Sequence, residues 1–142
     1  MEKKALIVER VYPAPIERVW KAITDKDQMK AWYFQLEEFK AEQGFKFQFT
    51  GGDDKVQYLH ECEVLVVEAP HKLSYSWTYP EHNTGYSVVT WELFKEGENS
   101  TRLKLTHEGL DSFPSTNPNF APESFSQGWN YILGESLQKY LS

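Results

Sequence analysis

The sequence predicts an α+β fold, a curved antiparallel sheet of about seven strands wrapped around one long C-terminal helix, with two short helices after the first strand. Three observations predict it. From Phe45 to His107 apolar residues alternate with polar ones at a period of two, the mark of half-buried strands. From Pro122 to Leu141 the period becomes helical, with Phe125, Trp129, Ile132, Leu133, Leu137, Tyr140 and Leu141 on one face. Only short turns separate the strand-like runs, so neighbours in sequence should pair antiparallel as a meander.

Leu6 to Tyr12 reads as the first strand, stopped by Pro13-Ala14-Pro15. Pro15 opens a helix in which Ile16, Val19, Trp20 and Ile23 keep the i, i+3, i+4, i+7 rhythm. Thr24 and Asp27 have capping-box spacing, which predicts a second short helix from Thr24 through Met29 to Trp32. This corner carries nothing basic and suits the plugging of a sheet end rather than the reading of DNA.

Phe45, Phe47 and Phe49 alternate with Lys46, Gln48 and Thr50, and Gly51-Gly52-Asp53-Asp54 supplies turn chemistry. Val56 to Val67 is the next strand. Its inner face is ambiguous, because Tyr58, His60, Cys62 and Val64 compete with Leu59, Leu65 and Val67, and a bulge could switch parity. Leu73, Tyr75, Trp77 and Tyr79 define a clear inner face on the following strand. Tyr86 to Phe94 is apolar at both parities, and Leu103, Leu105 and His107 alternate with Arg102, Lys104 and Thr106. Leu110 to Ala121, rich in Pro, Ser and Asn, then reads as a mobile polar loop.

The 142 residues fit one domain, 1–142, with a core that needs neither disulfide nor metal. Nine Phe, eight Tyr and five Trp must pack together or line something, which excludes disorder. A net charge of −6 argues against nucleic acid and anionic membrane as partners. The single cysteine, Cys62, and the absence of a signal-like or membrane-length apolar run fit a cytoplasmic protein. A monomer or weak homodimer is expected.

The segment from Val11 through Pro13, Pro15, Val19 and Trp20 to Asp25, followed by Ala31-Trp32, resembles the opening of the START-like SRPBCC superfamily. Glu63 to Trp77, with Ala69-Pro70 and Tyr75 inside it, resembles one branch of that superfamily. That branch comprises homologues of the activator of the heat-shock protein 90 ATPase. Leu105-Thr106-His107-Glu108-Gly109-Leu110 and Gly128-Trp129 extend the likeness, which covers nearly the whole chain in order. The resemblance implies a helix-grip fold with a tapering space between sheet and helix. It brings no shared catalytic set; relatives are hydrophobic-ligand carriers, polyketide cyclases or co-chaperone domains.

The residues expected around such a space are Trp32, Tyr75, Trp77, His107 and Phe125, with Gly128 and Trp129 on the last helix. Phe113 and Phe120 join them, as a lid over apolar space or as pins holding their loop. His107 shares the inward parity of Leu103 and Leu105, which suits a core histidine or a ligand contact. Gly128 lies at the rim of the apolar face, where it would admit a close neighbour or make room for a ligand. Glu61 and Glu63 share a strand face, as a solvated pair or an acid–base pair. His60 with Cys62 is the nearest thing to a metal pair and lacks further ligands, and no phosphate loop or nucleophile elbow occurs.

The leading expectation is therefore non-catalytic binding of a small hydrophobic or aromatic molecule in the cavity, with no cofactor or metal. A cyclase- or hydrolase-like enzyme would instead need two titratable groups converging there with shifted pKa values. A stress-related chaperone-associated module would need an exposed apolar patch.

Overall fold

The computed structural model describes residues 5–33, 38–52, 57–79, 84–113 and 122–141. Strand β1 (Leu6–Tyr12) leads into α1 (Ile16–Thr24) and α2 (Lys26–Trp32). There follow β2 (Lys46–Gly52), β3 (Gln57–Glu68), β4 (Lys72–Tyr79), β5 (Thr84–Gly97) and β6 (Ser100–Glu108). All neighbours pair antiparallel in one sheet of order β1-β6-β5-β4-β3-β2. Among the described residues the sheet has six strands, one for each strand-like run of the sequence and one fewer than the expected seven; β5 alone spans 14 residues.

Strand parity sorts the side chains. On β4 and β6 the inward residues Leu73, Tyr75, Trp77, Tyr79, Leu103, Leu105 and His107 are all buried. The even parity of β3 turns inward through His60, Cys62 and Val64. A register shift between Val64 and Val66 then hands the inner face to Val67, which packs against the core. On the outer face the register aligns Glu9, Lys104, Glu92, Lys72 and Glu68 across five strands. Opposite charges thus alternate along this row, a pattern that favours one register over its neighbours.

The second helix is capped differently from its spacing. The Asp25 carboxylate accepts from the Asp27 backbone N–H at 2.9 Å. Thr24 instead ends α1, its hydroxyl donating to the Trp20 carbonyl at 2.7 Å. The Trp32 indole N–H donates to the Ala22 carbonyl at 3.0 Å and ties the two helices together.

The C-terminal helix runs as α3 (Pro122–Tyr131), a π-helical turn (Ile132–Ser136) and α4 (Leu137–Leu141). Its buried residues, Phe125, Trp129, Leu133, Leu137 and Leu141, recur every four positions. In a pure α-helix each such step over-rotates by about 40° and would carry the last residue off the core. A π turn holds more residues per turn and brings the stripe back. The buried Tyr12 hydroxyl donates to the Leu133 carbonyl at 2.7 Å, and Ser136 donates to the Trp32 carbonyl at 2.5 Å. Both bonds lock the turn to β1 and α2. Among the described residues no helix is long and apolar enough to cross a membrane.

Candidate functional site

The inner face of the sheet and the C-terminal helix meet in a continuous aromatic wall. Its centre is Trp129, whose ring lies 5.4 Å from Trp77, 5.7 Å from Trp91 and 6.2 Å from Tyr33, the last of these stacked. Phe49 stacks on His60 at 4.4 Å, and both rings meet Trp77 edge-on. Phe113 stacks on Phe125 at 5.9 Å and meets Tyr79 edge-on at 5.3 Å. The strand periodicity explains this convergence. Every second residue of β4 is aromatic from Tyr75 to Tyr79, and the inward residues of β2 and β5 add Phe47, Phe49 and Trp91.

The polar atoms in this wall bond one another. An indole N–H can only donate, so Nδ1 of His107 accepts from Trp129 Nε1, at 3.0 Å. Nε2 of His107 therefore carries the proton and donates to Ser87 Oγ at 2.9 Å. Ser87 passes its own proton to the Trp77 carbonyl at 2.7 Å. A second cluster joins Trp91 Nε1–H to the Tyr75 hydroxyl at 3.0 Å and that hydroxyl to Tyr33 Oη, also at 3.0 Å. Trp77 Nε1–H donates to Tyr79 Oη at 2.8 Å.

Burial sets the electrostatics. It lowers the His107 pKa to about 3, helped by His60 nearby. It lowers that of His60 to about 4, against the hydrogen bond from Nδ1–H to the Phe49 carbonyl. Burial raises the pKa of Tyr33, Tyr75, Tyr79 and the Cys62 thiol. The whole wall is neutral at pH 7. Among the described residues no three His, Cys, Asp or Glu are grouped to hold a metal.

Seven of the nine expected residues are brought together in this core: Trp32, Tyr75, Trp77, His107, Phe113, Phe125 and Trp129. Phe120 lies outside the described residues. Gly128, beside the buried Trp129, is exposed, and a Cβ there would meet nothing within 4 Å, so no neighbour approaches it closely. Close approach belongs to Gly134, where an added Cβ would stand 3.3 Å from the Arg10 guanidinium. Glu61 reaches outward, accepting a hydrogen bond from Gln48 at 3.0 Å. Tyr33, Phe49, His60 and Trp91 were not among the expected set. The parity of β2 could have found Phe49; β5, apolar at both parities, gives no such signal for Trp91, and Tyr33, just past α2, carries no periodic signal.

A groove of about 320 Å³ also lies outside this core, lined by Ala31, Tyr131, Glu135, Ser136, Lys139 and Tyr140.

The fold recurs in solved structures. The protein MLL2253 from Mesorhizobium loti is 28% identical, with a TM-score of 0.81 over 97% of this chain and 96% of that one. CalU16 from Micromonospora echinospora is 26% identical, with a TM-score of 0.75 over 99% of this chain and 77% of that one. PFC0360w, an HSP90 activator from Plasmodium falciparum, is 24% identical, with a TM-score of 0.68 over 95% of this chain and 91% of that one. No curated protein matches the sequence. The family model described as activator of Hsp90 ATPase homolog 1-like protein matches residues 13–142, so the chain belongs to that family.

Proposed function

We propose that the chain is a non-catalytic, single-domain cytoplasmic binder of a small hydrophobic or aromatic molecule, held between the sheet and the C-terminal helix. The observation that carries this reading is the neutrality of the aromatic wall. It offers ring faces and a few hydroxyls, while its two histidines are neutral and too weakly basic for proton transfer near pH 7. Both nitrogens of His107 are already bonded to protein groups. Such a surface favours uncharged aromatic guests, since an ion there would lose its hydration without a partner.

Titration with the neutral probe N-phenyl-1-naphthylamine tests the reading. It predicts saturable one-to-one binding with quenching of tryptophan emission. Non-saturable uptake, or a signal that Trp129→Phe leaves unaltered, contradicts it.

A second reading, a chaperone partner, is favoured by family membership and by the exposed Ile7, Val11 and Phe94 on the outer face of the sheet. It predicts stimulation of the heat-shock protein 90 ATPase by the purified chain, and that stimulation should fall in Ile7→Ser/Val11→Ser.

A further inference from the structure

Tyr33 differs from every other ring in the aromatic wall. Trp32, Phe49, Trp91 and Trp129 sit in α2, β2, β5 and α3 and are buried. Tyr33 is the residue after α2 and is only partly buried. Its backbone N–H bonds the Met29 carbonyl at 2.6 Å, so a rotation about χ1 and χ2 would move the ring and leave the end of the helix bonded. Yet that ring lies at the focus of the wall. Trp32 lies 5.1 Å away, Phe49 5.9 Å, Trp91 6.1 Å edge-on and Trp129 6.2 Å face-on.

The slot has one polar corner. Trp91 Nε1–H donates to Tyr75 Oη, which leaves the Tyr75 hydroxyl to pair with one more oxygen. Tyr33 Oη supplies that oxygen. No Asp, Glu, Lys or Arg is among the buried described residues, so nothing buried there would neutralise a charged occupant.

We propose that the Tyr33 ring stands in the ligand's place. The ligand is then an uncharged aromatic molecule with one hydroxyl or carbonyl oxygen on the ring. It binds by displacing Tyr33, stacking on Trp129 and taking over the contact with Tyr75 Oη. This rests on the aromatic wall being a binding site, and it adds which residue yields and which oxygen selects. Tyr33 is thus a specificity-determining residue, and the wild-type affinity is reduced by the work of moving it.

Calorimetric titration with p-cresol, the tyrosine side chain in free form, and with toluene tests this. Tyr33→Gly is expected to bind p-cresol about tenfold more tightly than the wild type, a difference of about 1.4 kcal/mol. It should also prefer p-cresol to toluene, and adding Tyr75→Phe should erase that preference. Should Tyr33→Gly fail to fold, Tyr33→Phe keeps the ring and loses its tether, and is expected to gain about threefold in p-cresol affinity. Equal or weaker p-cresol binding in the folded variant overturns the displacement. If the wild type still binds N-phenyl-1-naphthylamine, the binding site itself stands. If neither wild type nor variant binds either molecule, both readings fall.

Discussion

Trp129 Nε1–H donates to His107 Nδ1 at 3.0 Å, joining the C-terminal helix to β6, the strand between β1 and β5 in the sheet. This bond fixes the imidazole tautomer and, through Ser87, the whole chain of donors that ends on the Trp77 carbonyl. Trp129→Phe is therefore expected to cost about 1–3 kcal/mol, because a buried acceptor loses its donor. Trp129→Ala should cost about 3–5 kcal/mol, as truncation of core aromatics does. Urea denaturation reads both, and a loss below about 1 kcal/mol for the alanine variant would contradict the anchor role.

The two buried histidines make stability depend on pH. Each is about 6.5 in the unfolded chain and is lowered by burial in the folded one, to about 3 for His107 and about 4 for His60. Above pH 6.5 both states are neutral and their share of stability is intact. As pH falls from about 6.5 toward about 4, the unfolded chain takes up protons that the folded chain refuses. Stability should then fall by up to about 1.4 kcal/mol per pH unit for each histidine. Denaturation midpoints for wild type and His107→Gln between pH 7 and 4 check this; the variant's slope should be shallower, and equal slopes would contradict it.

The two helical glycines should respond oppositely to alanine. Gly128 faces open space, so Gly128→Ala is expected to raise stability by about 0.5–1 kcal/mol through helix propensity. At Gly134 the new Cβ would press on an Arg10 guanidinium that is held by Asn130 at 2.8 Å. Gly134→Ala should show no such gain. Thermal melts of both variants decide, and a larger gain at Gly134 would overturn the packing account.

The surroundings of Phe113 are those expected of a pin. It is buried between Tyr79 and Phe125, and a Cβ on Gly85 would come within 2.6 Å of its ring. Phe113→Ser is expected to lower the denaturation midpoint, with a loss of about 3 kcal/mol. Unaltered stability with faster probe exchange would instead make it a lid.

Legibility in the sequence followed regularity of the backbone. The inner faces of β4 and β6 were readable because nothing interrupts their period of two, and His107 was placed inward by parity alone. The face of β3 was not readable, since the register shift between Val64 and Val66 exchanges its parities midway. The π turn left a trace in the four-residue spacing from Phe125 to Leu141, which a regular helical wheel does not distinguish from an ordinary helix. Tyr33 was invisible because a residue past a helix end obeys neither period; only the tertiary fold brings it onto Trp129.

A native mass spectrum of the purified chain is the most direct test of the aromatic wall as a binding site. Binding at the wall predicts a population heavier than the bare chain by one uncharged organic molecule, released on acid unfolding and restored by adding a neutral aromatic compound. A spectrum that holds only the bare chain, and stays so after incubation with neutral aromatic compounds, would contradict it.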